Sequence, residues 1–191
     1  MHSRIDALLA EWDKPDAPGM AVAVVQGGQV ACTKAVGLAS LEHGIANTPS
    51  TVFDIASVSK QFGAYAIALL EEEGRLGLDD DYRTYLPDMP DFGPTITLRH
   101  LLYHRSGIRD WVPAMVMSGV RMDDTILFAD ILRFARKQRA LNFAPGSEYL
   151  YSNTGYNLLA ETVARVSGQS FREFTHERIF APLGMSRTHF H

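Results

Sequence analysis

Apolar residues at Ile5, Leu8, Leu9 and Trp12 fall on one helical face and predict a short amphipathic helix over 3–12. Pro15, Pro18 and Gly19 end it. The pattern then changes. From Met20 to Gln26 nearly every position is apolar, as in a strand buried on both faces. Gly27-Gly28 predicts a tight hairpin turn, with Gln29 to Gly37 as the returning strand.

Ser57 to Glu73 carries no proline and stops at Gly74, a natural residue just past a helix end. Phe62, Ala64, Ala66, Ile67, Leu69 and Leu70 spread nearly all round it, which predicts a helix inside a domain and not on its surface. Beyond it the chain reads as mostly helical. Thr97 caps a short helix holding Leu101 and Leu102. Asp123-Asp124-Thr125 opens another, with Ile126, Leu127, Ile131, Leu132 and Phe134 inward and Arg133, Arg136, Lys137 and Arg139 as a solvated basic end. Tyr156, Leu159, Val163 and Val166 mark a helix stopped by Gly168. Ser170 and Glu173 form a capping-box signature for a last helix, which runs to about Phe180, before Pro182.

Composition adds few constraints. The 191 residues suit one domain or part of a larger one, 46% of them apolar and 21% charged, as in globular chains. A net charge of −4 gives no reason to expect nucleic acid or an anionic membrane as partner. The single cysteine, Cys32, excludes an intrachain disulfide, and its strand-like neighbours predict a buried structural thiol; no metal site is read. No apolar run reaches the roughly 18 residues of a membrane helix, and Met1 to Trp12 lacks the apolar core of a secretory signal. The chain therefore reads as cytoplasmic, or as periplasmic or secreted if a signal peptide has been removed.

Two short motifs carry chemistry. In Ser57-Val58-Ser59-Lys60, helical spacing puts Ser57 and Lys60 on one face, one turn apart, at a helix start where backbone N–H groups lack intrahelical partners. Lys60 can take the serine proton if burial or a neighbouring charge lowers its pKa from about 10.4. The plain alternative is that Ser57 caps the helix and Lys60 meets solvent. In Tyr151-Ser152-Asn153, a phenol beside an ammonium can serve as base, and Asn153 can grip a substrate carbonyl and Lys60 together. Here the alternative is that Ser152 or Asn153 caps a helix and Tyr151 packs in a core.

Taken in order, the motifs and their surroundings resemble the penicillin-recognising serine hydrolases. Phe53 to Phe62, through Ser57-Val58-Ser59-Lys60, looks like their nucleophile segment; Ser-x-x-Lys is the signature of β-lactamases and penicillin-binding proteins. Leu70 to Leu76 with Leu78-Asp79-Asp80 is similar to the stretch that follows it. Leu101-Leu102-Tyr103-His104-Arg105-Ser106-Gly107 resembles Leu-Leu-x-His-Thr-Ser-Gly, with Arg105 in place of Thr. Phe143 to Leu159 resembles the second active-site motif, and Pro182-Leu183-Gly184-Met185 the helix exit after it. The Tyr-x-Asn form is similar to class C β-lactamases, D-aminopeptidases, DD-carboxypeptidases and related esterases.

The resemblance implies an α/β (α+β) fold of the β-lactamase/transpeptidase type, one domain over 1–191 with a sheet part at 1–56 and a mainly helical part at 57–191. It implies Ser57 as acyl-accepting nucleophile, Lys60 and Tyr151 as the coupled proton-handling pair, the Ser57 backbone N–H as an oxyanion donor, and Asn153 as substrate-orienting group. Trp111 would line the substrate cleft and His104 would be structural. The substrate would be an ester, a β-lactam or a D-amino-acid peptide, with no cofactor. The family's third element, Lys-Thr-Gly or His-x-Gly on a later strand, is found nowhere between Asn153 and His191. The expectation is therefore either the N-terminal portion of a longer hydrolase or a chain that needs a complementing C-terminal chain, in both cases without its C-terminal strands and weakly active alone. A non-catalytic penicillin- or peptide-binding module of the same fold is the competing expectation.

Overall fold

The computed structural model describes residues 2–121 and 123–191. They form two compact units, 1–54 and 55–191.

The first unit holds helix α1 (His2–Leu9), the hairpin β1 (Met20–Gln26) and β2 (Gln29–Val36), and the small pair β3 (Leu38–Ser40) and β4 (Ile45–Ala46). β1 and β2 pair antiparallel from Met20 opposite Val36 to Gln26 opposite Gln29, with a bulge between Val24 and Val25. Gly27 and Gly28 both adopt positive φ, as a two-residue turn matched to strand twist requires. Two expectations are corrected. α1 ends at Leu9, which is buried, whereas Leu8 and Trp12 are exposed. β1 is not buried on both faces. Met20, Val22 and Val24 are half-buried, while Ala21, Ala23 and Val25 are exposed. A continuous apolar run does not encode which face meets a neighbour; the pleat does, by sending successive side chains to opposite sides. Cys32 lies buried in β2 with a free thiol.

The second unit begins with a 3-10 turn (Ala56–Ser59) that leads into α2 (Lys60–Glu72). It continues through a 3-10 turn (Tyr82–Thr84), α3 (Leu98–Leu102), α4 (Trp111–Met117), α5 (Phe128–Lys137), α6 (Asn153–Ser167) and α7 (Phe171–Thr175), which passes into one π-helical turn (His176–Phe180). α6 is the hub, touching α2, α3, α4, α5 and α7. Ile67 and Leu70 of α2, Leu98 and Leu101 of α3, Leu132 of α5, Leu158, Leu159 and Val163 of α6, and Phe174 and Phe180 share its buried core. Each such side chain contributes about 1.5–3 kcal/mol by leaving water.

The expected capping groups appear at Thr97, whose hydroxyl accepts from the His100 N–H at 3.1 Å, and at Ser170, which accepts from the Glu173 N–H at 3.2 Å. Gly168 closes α6 at φ 77°. Two helical expectations are corrected. α2 is not enclosed all round: Gln61, Tyr65, Ala68 and Glu72 form an exposed stripe. α5 starts at Phe128, not near Asp123, because Asp124 closes a local turn by accepting from the Arg121 N–H, while Asp130 accepts from the Leu127 N–H. This leaves Leu127 exposed. The basic end of α5 is exposed as expected, at Arg133, Arg136, Lys137 and Arg139. Arg136 and Arg165 together grip Asp88, at 2.6 and 2.7 Å, tying α5 to α6. Chiefly the Arg165 hydrogen bond, with help from Arg136, holds the Asp88 carboxyl down to about 2 against the effect of burial. No helix among the described residues is long and apolar enough to cross a membrane.

Candidate active site

Ser57 sits inside the 3-10 turn and Lys60 is the first residue of α2. The Ser57 side chain does not cap the helix. Its Oγ lies 2.7 Å from Tyr151 Oη and 3.1 Å from Lys60 Nζ, and Lys60 Nζ donates to Asn153 Oδ1 at 2.8 Å. Four groups singled out in the sequence thus meet in one cluster. Lys60 is not a surface residue: it is half-buried, with Nζ 4.8 Å from the Tyr151 ring centre and 5.7 Å from that of Tyr156. Ser57 and Tyr151 remain exposed, so a ligand can reach the pair.

Among the described residues only Ala56 and His104 combine a side chain with positive φ, at 45° and 57°. Both adjoin the cluster. Left-handed backbone costs about 1–2 kcal/mol per residue outside glycine, so the fold holds some strain where these side chains are aimed.

Tyr151 and Asn153 are set by the chain running beside them. His104 O accepts from the Leu150 N–H at 3.0 Å, and His104 Nδ1 accepts from the Ser152 N–H at 3.2 Å. The imidazole stacks on the Tyr151 ring with centroids 4.5 Å apart. Arg105 hydrogen-bonds Gly146 O through its guanidinium, and its own carbonyl accepts from the Gly146 N–H at 2.8 Å. Arg105 therefore fastens the turn before Tyr151. Gly107 is required where it stands. At φ 75°, a Cβ there would lie 2.3 Å from Phe143 O, so any side chain would push the two segments apart.

Trp111 opens α4. Its backbone N–H donates to Thr154 Oγ1 at 2.9 Å, and its half-buried indole donates through Nε1 to Asn157 Oδ1 at 3.1 Å. Sequence reasoning missed Asp110, the residue before it. An Asp just ahead of an apolar run signals a helix cap, and Asp110 does occupy the cap position of α4 but makes no side-chain cap bond there. Its carboxylate instead accepts from the N–H groups of Asn153 and Thr154, at 2.9 and 3.2 Å, and from Asn153 Nδ2 at 2.9 Å.

The electrostatics follow from this packing. Burial pushes the Tyr151 phenol up, but hydrogen bonding by Lys60 and Ser57, with the ammonium's charge, outweighs burial and holds it below the usual tyrosine value. His104 is held below the usual histidine value by burial first and by the Lys60 charge second. His100, whose Nδ1 accepts from the Thr97 N–H at 3.2 Å, is depressed by burial and then by Arg105. A depressed histidine binds fewer protons folded than unfolded, so the unfolded chain gains from acidification. Stability is expected to hold above the unfolded histidine pKa of about 6.5 and to fall as pH drops from there through the depressed folded values. Thermal melts between pH 8 and 5 check this, and His104→Gln should flatten part of the slope. A slope unchanged in that variant would remove His104 from the account.

The beta-lactamase family model matches residues 5–191. The chain belongs to the beta-lactamase family. Among the relatives of this beta-lactamase-family chain, penicillin-binding protein 4* of Bacillus subtilis is 34% identical over 168 residues, 87% of this chain and 37% of that protein. The D-aminopeptidase of Brucella anthropi is 36% identical over 169 residues, 88% of this chain and 32% of that one. The octameric penicillin-binding protein homologue from Pyrococcus abyssi superposes with a TM-score of 0.81 at 33% identity, over 97% of this chain and 43% of its own. The β-lactamase/transpeptidase-like fold expected from the motifs is thus the fold observed, and the chain spans well under half the length of these relatives.

Proposed function

We propose that the chain carries the acylating centre of a serine hydrolase. The observation that carries this reading is Ser57 Oγ standing 2.7 Å from Tyr151 Oη and 3.1 Å from Lys60 Nζ. A serine hydroxyl is a weak nucleophile until a neighbour takes its proton. The Tyr151–Lys60 pair is that neighbour. Ser57 Oγ attacks the carbonyl carbon of an ester, amide or β-lactam while its proton passes to the pair. The carbonyl electrons move onto oxygen, facing the Ser57 backbone N–H, a donor that helix starts leave without an intrahelical acceptor. Collapse expels the alcohol or amine, which recovers the proton, and leaves an acyl-enzyme that water cleaves. Asn153 and Trp111 are the proposed substrate contacts. The names of the relatives favour D-amino-acid peptides and penicillins within this class.

Intact mass after incubation with a fluorophosphonate, and separately with a penicillin, tests the reading. One adduct per chain is expected, mapped to the peptide holding Ser57. No adduct in a sample with the circular dichroism of a folded chain, or an adduct on another residue, would overturn it. A stable penicillin adduct with no turnover of ester or peptide would favour the binding-module reading.

A further inference from the structure

We propose that Asp110 is a positioning residue, which orients the Asn153 amide with its oxygen toward Lys60 and so holds Lys60 on Ser57. This rests on the acylating centre described above, although one of its tests does not need that centre to react.

The argument is one of donors and acceptors. An ionised carboxylate only accepts hydrogen bonds and an ammonium only donates them; a carboxamide does one at each end. Asn153 lies between the two kinds of group. Its Nδ2 donates to Asp110 Oδ2 at 2.9 Å, and its Oδ1 accepts from Lys60 Nζ at 2.8 Å. Turned over, the amide would set oxygen against carboxylate and N–H against ammonium, and both contacts would repel. Asp110 therefore selects one of two otherwise similar orientations, and the selected one gives Lys60 an acceptor opposite Ser57.

Asp110 is itself held firmly. Its other oxygen accepts the Asn153 and Thr154 N–H groups at the start of α6. The preceding residue, Arg109, is bonded through both backbone groups to the buried Gln138, at 3.1 and 3.0 Å, and its carbonyl also accepts from Thr154 Oγ1 at 3.0 Å. The next residue, Trp111, donates its N–H to the same Thr154 oxygen. A carboxylate fixed on both sides can impose an orientation on a neighbouring amide.

The test is a double-mutant cycle with Asp110→Asn, Asn153→Ala and the two combined, read as the rate of Ser57 modification by a fluorophosphonate. Asp110→Asn keeps an oxygen for the N–H groups of α6 but allows the Asn153 amide to turn. It is expected to slow modification ~10–100-fold, the range usual for partners that orient a reacting group from behind. Added to Asn153→Ala it should cost no more, because it acts through that amide. Wild-type rates in Asp110→Asn, or losses that multiply in the double variant, would overturn the proposal. The second readout is solvent exchange of the Asn153 side-chain amide protons by NMR, assigned by their absence in Asn153→Ala. Exchange is expected to quicken at least about 10-fold when the carboxylate partner is lost; unchanged exchange sinks the proposal even if Ser57 proves unreactive. A wild-type chain that takes no adduct sinks the acylation reading instead. Should Asp110→Asn fail to fold, the exchange of groups in Asp110→Asn/Asn153→Asp again matches every donor with an acceptor and is expected to restore the melt. Failure to restore it would count against the matching argument.

Discussion

Replacing Lys60 with methionine is expected to slow acylation of Ser57 by about 10²–10⁴-fold, the usual contribution of a positioned acid or base. That corresponds to roughly 3–5 kcal/mol of transition-state stabilisation. Methionine keeps an unbranched stem of similar length, and its sulfur can rest against the Tyr151 and Tyr156 rings that now flank the ammonium. The charge disappears, and with it the 3.1 Å bond to Ser57 Oγ and the 2.8 Å bond to Asn153. Two consequences should separate. The phenol of Tyr151 returns toward the ordinary tyrosine range, since Lys60 is foremost among the groups that hold it down. The fold should persist, because α2 is anchored by Ile67 and Leu70 in the core and not by Lys60. The checks are the rate of adduct formation by intact mass, with a thermal melt beside it. A variant that melts like the parent and acylates within about threefold of it would show that Lys60 has no part in activating Ser57.

Tyr151→Phe should produce a loss of similar order, about 10²–10⁴-fold, with a distinct pH signature. Phenylalanine keeps the ring against His104 and beneath Lys60 but removes Oη, 2.7 Å from Ser57 Oγ. The phenol's proton is lost below the usual pKa of about 10. The phenolate fraction, and with it the base, therefore grows as pH rises toward that lowered value. Wild-type acylation should climb along this limb and level off above it, and the variant should lack the limb. Persistence of the same limb in Tyr151→Phe would assign the proton transfer to Lys60 alone. Lys60 and Asp110 act on the Tyr151 phenol through their charges and His104 packs against its ring, so the profile is best compared in single variants of all three.

The two motifs were legible in the sequence for unequal reasons. Ser57 and Lys60 lie three residues apart, and helical geometry alone sets them one turn from each other. Their contact is local and follows from periodicity, even though the helix opens with a 3-10 turn. Tyr151 and Asn153 lie more than 90 residues farther along the chain. Only the likeness of their surroundings to known hydrolases linked them to Ser57; nothing in their spacing does so.

Asp110 shows the boundary most clearly. Read locally it is a helix cap, because the same residue type before the same apolar pattern caps helices widely. In the fold its carboxylate turns from α4 to the first turn of α6, where three donors meet it. The all-apolar run of β1 behaves alike: it announces a strand, but not that Ala21, Ala23 and Val25 stay open to solvent.

Turns, caps and helix periods come from contacts within a few residues, so the chain's own order contains them: Gly27-Gly28, Thr97, Ser170 and the one-turn reach from Ser57 to Lys60 are all of this kind. Partner choice across tens of residues is different. It is set by which packed arrangement brings distant donors and acceptors together, and that condition exists only once the helices have met. The pairing of Ser57 with Tyr151, the direction of the Asn153 amide and the allegiance of Asp110 belong to that second level.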